Sequence, residues 1–570
     1  MSAPRRRKPR KTGLSRRDFL KRAGAGAAVL GALPLLPACD SSSPAGGGGG
    51  PGGGEVFRHG VASGDPLADR VVLWTRVSSA QTGPVEVGYV VARDPAMTQV
   101  VRSGSAQATA ARDYTVKVDP TGLDPGTTYY YRFSALGQMS PVGRTRTLPT
   151  GSVERLRIAV VSCASYAHGL FNAYARVAAR QDLDLVVHLG DYIYEYNSGT
   201  GADAYGDFRP YEPAKEILSL ADYRQRYAQY RLDTDLQALH RQHPMVNIWD
   251  DHETADNSSR DAAVNHTPET EGDWAVRVAA GLQAFYEWLP VRQVDAADPR
   301  KNYRSFRFGD LAELVMLEER LLAREQPIEG LAEVSGVSVI LVPVGEVQDE
   351  NRQLLGAEQE AWLAQTLRAT PARWKLLGQG VMFGQFKIAG LPELATGGVY
   401  INPDQWDGYP AARARVYDVI EGADGGAPVS DVVVLTGDIH SSWSMDLARD
   451  PNQPLSALGG YNPITGEGSR GVEFVATAIT SPGLESFEPA SSLIGVINPH
   501  IKYADFSQKG YLLLDVTPER VVGEHWYVDT ITAPSTVEAV GGTYQTLSGS
   551  GRLSATEATT ARSNPPPFAP

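Results

Sequence analysis

Between residues 55 and 149, short segments alternate apolar and polar side chains and are separated by turn residues. The clearest of these segments lie at 71–77, 85–91, 114–118 and 128–133. Alternation with a period of two places one set of side chains on each face of a β-strand, and several such strands in succession predict an all-β sandwich of about 95 residues. We therefore expect an N-terminal β domain over residues 55–149, with its tyrosines in the core.

Beyond residue 150 the pattern changes to nearly continuous apolar runs that alternate with helical segments. The predicted strands lie at 156–161, 183–187, 246–249 and 432–436, and the clearest predicted helices at 170–180 and 358–367. This alternation predicts an α/β layered core over residues 150–532, in which functional sites form at the carboxyl ends of strands. Apolar periodicity fades from residue 533, which predicts a loosely attached C-terminal tail over residues 533–570.

The N-terminal segment has the pattern of an export signal. Basic residues lead into Ser15-Arg16-Arg17-Asp18-Phe19-Leu20-Lys21, and the apolar stretch over residues 23–36 is too short to span a bilayer comfortably. The paired arginines resemble the twin-arginine export signal, whose pathway carries folded proteins. We therefore predict a signal peptide over residues 1–38, recognition by the twin-arginine export machinery, and a periplasmic, cell-surface or secreted location.

The apolar stretch ends in Leu36-Pro37-Ala38-Cys39, and a Gly/Ser-rich tether follows over residues 39–54. This arrangement resembles a bacterial lipobox, in which Cys39 carries the lipid anchor of a lipoprotein. Pro37 departs from the small or aliphatic residue usual at its position, so cleavage near Ala38 without lipidation is an alternative.

Composition and charge exclude several classes of protein. With 570 residues, 42% of them hydrophobic and 21% charged, the chain is neither wholly disordered nor a polytopic membrane protein. The formal net charge is -13, and the chain beyond the basic N-terminal segment is more acidic still, so we expect no nucleic-acid-binding surface. The two cysteines allow at most one disulfide, and we expect the mature protein to be a monomer.

Polar side chains capable of binding metals follow four of the predicted strands. The residues in question are Cys163 after the first strand, Asp191 and Tyr194 after the second, Asp250, Asp251, His252, Glu253 and Asn257 after the third, and Asp438 and His440 after a later one. Any one of these motifs alone would be weak evidence, because an isolated cysteine is usually a buried small side chain and an aspartate after glycine is usually a turn residue. Several carboxylates at one rim are tolerable only with cations between them, so the joint pattern predicts a metal site.

These motifs resemble the PhoD-like alkaline phosphatases and phosphodiesterases of the metallophosphoesterase superfamily. The resemblance extends from His59 to about Trp526 and includes Ser63-Gly64-Asp65-Pro66, Trp406-Asp407-Gly408-Tyr409-Pro410 and Asn498-Pro499-His500. It implies a layered α-β-β-α sandwich preceded by a fibronectin type III- or immunoglobulin-like domain. It also implies an alkaline phosphatase, a hydrolase of phosphoric monoesters and diesters that acts through a metal-activated water.

The resemblance also implies the ligands and the metals. Where most of the superfamily carries Asp-x-His and Gly-His-x-His, this chain has Cys163 and Gly437-Asp438-Ile439-His440, which matches the PhoD-like branch with its ferric ion and calcium. The resemblance assigns Fe3+ to Cys163, Asp191, Tyr194 and His440, and Ca2+ to Asp191 as a bridge together with Asp251, Asn257 and Asp438. Thiolate, phenolate and imidazole suit a transition metal, whereas oxygen ligands suit calcium. His252 is the candidate catalytic acid or charge stabiliser, beside Asp191.

Some residues and functions keep alternative interpretations. We expect His188 to be packed or to support the ligands, and His500 is a second supporting candidate. Arg320 follows Glu318-Glu319 where relatives would carry Asp-x-Arg, so no phosphate-binding role is assigned to it. The alternative function is a phosphodiesterase or phospholipase D-like hydrolase of wall polymers or lipid head groups. A non-catalytic tethered binding protein is disfavoured because the series of strand-end ligands has no gap.

Overall fold

The computed structural model describes residues 55–198, 206, 208–328, 332–334, 337–340, 344–393, 397–455 and 458–570. The predicted signal peptide, the tether and Cys39 lie outside these residues. No helix in the described part of the chain has both the length and the apolar character needed to cross a bilayer.

The described residues fold into α-helices and β-strands, each numbered in chain order. The α-helices are α1 (Asn172–Ala178), α2 (Leu220–Tyr230), α3 (Thr234–Gln242), α4 (Pro268–Glu271), α5 (Trp274–Trp288), α6 (Ala357–Ala369), α7 (Pro410–Glu421) and α8 (Ser491–Ile497). The β-strands are β1 (Val61–Gly64), β2 (Val72–Arg76), β3 (Val85–Ala92), β4 (Val100–Ala108), β5 (Thr115–Val118), β6 (Thr128–Ala135), β7 (Gln138–Met139), β8 (Gly143–Arg146), β9 (Leu156–Val161), β10 (Leu185–Leu189), β11 (Pro244–Ile248), β12 (Arg304–Phe308), β13 (Ala312–Met316), β14 (Ala332–Val334), β15 (Val337–Ile340), β16 (Trp374–Gln379), β17 (Lys387–Ala389), β18 (Val399–Tyr400), β19 (Val432–Thr436), β20 (Ser442–Ala448), β21 (Ser469–Val475), β22 (Ile501–Asp505), β23 (Gly510–Val516), β24 (Arg520–Val528), β25 (Glu538–Leu547) and β26 (Leu553–Ala555).

Two large mixed sheets form the core. The strand order of the ten-stranded sheet is β26-β25-β24-β23-β9-β10-β11-β1-β2-β5, and that of the seven-stranded sheet is β12-β13-β16-β19-β21-β20-β22. Strands β9, β10 and β11 are parallel to one another, as are β13, β16, β19 and β21. The carboxyl ends of parallel neighbours lie at one edge of a sheet, so each sheet has an edge where successive strand ends come together.

Apolar packing arranges the sheets and helices in layers. One cluster lies between the two sheets and contains Val160 and Val187 from the larger sheet and Leu314 and Val433 from the smaller. A second cluster covers the other face of the larger sheet with α1, α2, α3 and α5. A third covers the other face of the smaller sheet with α6 and α7. The two sheets therefore pack against each other through one cluster, and helices pack against the other face of each sheet.

The N-terminal region is all-β, but it is not a self-contained domain. Strands β3, β4, β6, β7 and β8 form a separate sheet, whereas β1, β2 and β5 belong to the ten-stranded sheet, where β1 pairs in parallel with β11. An apolar cluster between the two groups of strands includes Leu73, Val87, Tyr131 and Phe133. The sequence pattern predicts the strands but not the sheet that each strand joins. The backbone N–H and C=O groups of a strand can pair with a strand of either sheet.

The C-terminal segment is not loosely attached, which corrects the prediction for residues 533–570. Strands β25 and β26 extend the ten-stranded sheet beyond β24. After them, the Arg562 guanidinium donates to Asp184 Oδ1 at 2.8 Å, and the Tyr130 hydroxyl donates to the carbonyl of Pro567 at 2.6 Å. Most of β25 is partly or fully exposed, so its sequence lacks an apolar stripe although its backbone is paired.

Arg562→Ala is expected to lower the midpoint of thermal unfolding by roughly 2–4 °C, because Asp184 would lose its close guanidinium partner while remaining buried. Arg470→Ala is the matched control, since Arg470 pairs with Glu421 at the surface, where an ion pair contributes little. Differential scanning calorimetry of the two variants measures the difference. Equal midpoints for both variants would show that the C-terminal segment does not stabilise the fold through this contact.

Candidate metal centre

The predicted ligands meet where strand ends of the two sheets come together. Cys163 follows β9, Asp191 follows β10, Asp251 follows β11, and Asp438 and His440 follow β19. Backbone contacts join these loops, since the Cys163 N–H donates to the Gly190 carbonyl at 3.2 Å and the Ile479 N–H donates to the Ser162 carbonyl at 3.0 Å. The ligands are thus held by backbone that is itself part of, or bonded to, the two sheets.

Five of the predicted ligands have left-handed backbone conformations. The φ angles are 60° at Cys163, 57° at Asp191, 51° at Asn257, 60° at Asp438 and 59° at His440. Residues with a Cβ rarely adopt this region, and each such position costs about 1–3 kcal/mol unless the surrounding structure compensates. Strain of this kind clusters at functional sites, and here it coincides with the side chains that the sequence singles out.

Four buried side chains form the first ligand group. Ligand atoms of Cys163, Asp191 and His440 all lie within 4.8 Å of one another. The Tyr194 hydroxyl joins them, because it donates to Asp191 Oδ2 at 2.9 Å and lies 3.2 Å from His440 Nε2. Asp191 Oδ1 is buried and has no hydrogen-bond partner. A buried carboxylate oxygen without a donor is costly in the absence of a cation, so this donor set fits a metal ion.

Burial also acts on the thiol of this group. Burial raises the pKa of the Cys163 thiol well above its ordinary value, and the carboxylates of Asp191, Asp438 and Asp250 act in the same direction. A coordinated cation has the opposite effect, since it stabilises the thiolate directly. Without a cation, the Cys163 side chain is therefore a protonated thiol.

Ser481 and Pro482 orient this group, a role that the sequence analysis missed. The Ser481 hydroxyl lies 2.6 Å from the Tyr194 hydroxyl and 2.8 Å from the Cys163 carbonyl oxygen. His440 Nδ1 lies 2.5 Å from the Pro482 carbonyl, which can only accept, so Nδ1 carries a proton and Nε2 is the nitrogen directed at Tyr194 and Asp191. The sequence signal was the Thr480-Ser481-Pro482-Gly483 motif, whose polar residue could have been assigned to the site.

A second group, made up mainly of carboxylates, adjoins the first ligand group. Asp191 also forms a group with Asp251 and His252, and Asp251 forms a further group with Asp250 and Asp438. Asn257 belongs to the same loop, because its backbone N–H donates to Asp251 Oδ2 at 2.6 Å. Its side-chain Oδ1 is buried without a donor. Asp191 thus lies between two candidate cation positions, the second of which offers only oxygen atoms apart from His252.

His252 is held by a carboxylate and an aromatic ring. Its Nδ1 lies 2.7 Å from Glu195 Oε2, and its ring stacks on Tyr194 with centroids 4.2 Å apart. Burial disfavours the charged ring, but Asp251, Glu195 and Asp191 outweigh this effect and raise the pKa of His252 well above its ordinary value. Glu195 also accepts from the Asp256 backbone N–H at 2.8 Å. Glu195 thus fixes the orientation of the His252 ring, and it is a second residue that the sequence analysis missed.

Glu253 connects two of the strand-end loops. Its carboxylate accepts backbone N–H groups from Asp191 at 3.2 Å, Tyr192 at 2.6 Å and Asp250 at 2.9 Å. Burial, reinforced by Asp191, raises the pKa of Glu253 to about 8. Glu253 thus positions the loops that carry the ligands and does not itself reach into the ligand groups.

The structure places two other candidate histidines outside the ligand groups. His188 lies within β10, and its Nε2 forms a hydrogen bond of 2.8 Å with the Tyr174 hydroxyl. His500 Nε2 lies 2.9 Å from the Gln385 carbonyl. Both are buried in the fold, and neither belongs to a group that could hold a metal ion among the residues described.

Comparison with known proteins agrees with this fold. The family model described as PhoD-like phosphatase matches residues 158–525, and the model of the PhoD-like phosphatase N-terminal domain matches residues 45–149. Alkaline phosphatase D of Bacillus subtilis (strain 168) is 36% identical over 493 residues, which is 84% of this chain and 78% of that protein. The solved structure of PhoD superimposes with a TM-score of 0.77 at 34% identity, covering 89% of this chain and 94% of that one.

The fold and these relatives therefore define a hydrolase of phosphoric esters. The chain belongs to the PhoD-like phosphatase family, which confirms the resemblance noted in the sequence.

Proposed function

We propose that this chain is an exported, metal-dependent phosphatase that hydrolyses phosphate monoesters and, in addition, diesters. The observation that supports it best is the convergence of Cys163, Asp191, Tyr194 and His440, with a buried oxygen of Asp191 left without a donor. Export by the twin-arginine pathway and lipidation at Cys39 are part of the proposal and rest on the N-terminal sequence.

The donor sets favour two different ions. We assign Fe3+ to Cys163, Asp191, Tyr194 and His440, because thiolate, phenolate and imidazole suit a transition metal. We assign Ca2+ to Asp191, Asp251, Asn257 and Asp438, because this set supplies only oxygen ligands. When bound, such ions polarise the phosphate and make water a nucleophile near neutral pH.

The residues of the chain supply the remaining chemistry. A phosphate ester is anionic and the protein carries a formal net charge of -13, so positive charge in the site must offset the repulsion. His252, held by Glu195 through Nδ1, is the residue that would stabilise the leaving oxygen or give it a proton. Stacking on Tyr194 fixes the imidazole ring next to the ligand group.

The test of this function is elemental analysis of the exported protein together with its hydrolysis of p-nitrophenyl phosphate and bis(p-nitrophenyl) phosphate. We expect iron and calcium in the purified protein, activity on both esters with a preference for the monoester, and loss of activity after treatment with a chelator. A much faster rate on the diester would support the phosphodiesterase or phospholipase D-like alternative. A metal-free protein that is fully active would contradict the proposed mechanism.

A further inference from the structure

We propose that the buried guanidinium of Arg231 forms a binding site for a small monovalent anion such as chloride. The site lies where strands β1 and β2 of the N-terminal region meet the helices α2 and α3. Its residues are distinct from those that form the ligand groups of the candidate metal centre. The proposal therefore does not depend on the proposed function.

Arg231 directly follows α2, and its side chain is fully buried. Its Nη2 donates to the carbonyl oxygens of His59 and Val61, at 3.2 and 3.4 Å. The centre of the guanidinium lies 4.4 Å from the centre of the Trp74 ring, whose face attracts a cation. These contacts hold the side chain in place, but none of them supplies a full negative charge.

The charge of Arg231 is balanced less well than the charges of the other most deeply buried arginines. Carboxylate oxygens lie 2.6–2.9 Å from guanidinium nitrogens in four of them, namely Arg157, Arg277, Arg320 and Arg324. Arg226 instead donates to backbone carbonyls from each of its nitrogen atoms. Arg231 forms no ion pair within the part of the chain that the structure describes, and its Nε and Nη1 lack a hydrogen-bond partner there.

Two sources of negative charge near Arg231 do not neutralise it. Asp233, two residues along the chain, accepts from Arg209 at 2.6 Å. The same carboxylate caps α3 by accepting backbone N–H groups at 3.0 and 3.1 Å. The carboxyl end of α2 carries only about half of an elementary charge. A guanidinium removed from water needs a full counter-charge, so a further negative group is required.

The side chains beside Arg231 add donors and no negative charge. The Tyr192 hydroxyl and His240 Nε2 form a hydrogen bond of 2.9 Å. Burial is the main influence on their pKa values, raising that of Tyr192 and lowering that of His240, and the nearby charge of Arg231 acts on both. A phenol and a neutral imidazole share only one proton in such a bond, and His240 Nδ1 is buried without a partner. Either the His240 Nδ1–H or the Tyr192 O–H is therefore left without an acceptor among the described residues.

An anion satisfies these groups better than a water molecule does. Water can accept two hydrogen bonds, but it must also donate two, and it leaves the charge of the guanidinium uncompensated. A halide ion accepts from Nε, from Nη1 and from the Tyr192–His240 pair, donates nothing and supplies the counter-charge. The bound ion thereby stabilises the junction between the N-terminal strands and the helices of the core.

The first test is thermal unfolding of the purified protein in sodium chloride, sodium bromide and sodium gluconate at equal ionic strength, after exhaustive dialysis. The midpoint is expected to be about 1–3 °C higher in either halide than in gluconate, because the ion binds only the folded chain. Arg231→Met keeps an apolar stem beside Trp74 but removes the charge, so its midpoint should be the same in all three salts. Arg76→Gln is the matched control and should keep the wild-type response, because Arg76 lies over the neighbouring Trp288 but pairs with Asp113.

The second test locates the ion in crystals of the wild type grown in sodium bromide. An anomalous peak is expected within hydrogen-bonding distance of Arg231 Nε and Nη1. Water at that position without an anomalous peak would overturn the proposal, even if bromide were bound elsewhere on the surface. Equal midpoints of the wild type in the three salts, or a halide response that persists in Arg231→Met, would also overturn it. If Arg231→Met does not fold, the wild-type crystals still decide the question.

Discussion

Asp191→Asn is expected to reduce phosphate ester hydrolysis by about 10³-fold or more and to release metal from both candidate positions. Asp191 shares one ligand group with Cys163 and His440 and another with Asp251 and His252. The substitution keeps the shape of the side chain but removes its charge, so both positions lose a ligand at once. Steady-state kinetics and elemental analysis of the same preparation measure the two effects together.

Asp261→Asn is the matched control for this variant, because Asp261 is an exposed carboxylate paired with its neighbour Arg260 at the surface. It should retain wild-type activity and metal content. An Asp191→Asn protein that keeps both its iron and its activity would remove the basis of the proposed mechanism. A loss of activity with full metal content would place Asp191 in catalysis but not in metal binding.

His252→Asn is expected to lower the rate by about 10²–10⁴-fold while the metal content stays at the wild-type value. The reason is that Glu195 holds His252 through Nδ1, and His252 is assigned to neither ion although it lies beside Asp191 and Asp251. A leaving group of low basicity needs little protonation, so the loss should be larger for an alkyl phosphate than for p-nitrophenyl phosphate. Comparison of kcat/KM on the two esters measures this difference.

Glu195→Gln serves as the companion variant. It keeps an acceptor for His252 Nδ1 but removes the negative charge that favours the protonated ring, so a smaller loss of about 10–100-fold is expected. If His252→Asn lost the same factor on both esters, His252 would stabilise charge without donating a proton. If it lost no activity on either, the assignment of His252 would be wrong.

The positions of the ligands could be predicted from the sequence because they depend on local rules. Cys163, Asp191, Asp251 and Asp438 each lie within three residues of the end of a buried strand. Parallel neighbouring strands end at one edge, so Cys163 and Asp191 had to lie close together. The predicted strand at 183–187 is observed as Leu185–Leu189, and the predicted helix at 358–367 as Ala357–Ala369. Apolar runs and helical spacing predict the presence of an element more reliably than the residues at which it begins and ends, so shifts of this size are expected.

Other features depend on contacts between distant parts of the chain and have no local signal. Glu195, Ser481 and Arg320 act through partners that lie far away in sequence, such as Asp438 for Arg320 and Tyr194 for Ser481. The pairing of β25 with β24 likewise uses backbone groups, which every residue other than proline offers. A single sequence therefore predicts the ligands better than the residues that hold them.

The parallel pairing of β1 with β11 has a consequence for any attempt to divide this protein. Residues 61–64 pair with one edge of β11, the strand that leads into the Asp251 loop. A shortened protein beginning at residue 150 would leave the N–H and C=O groups of β11 open along that side, a template for self-association. We therefore expect the catalytic half to aggregate when it is expressed without the β region that precedes it.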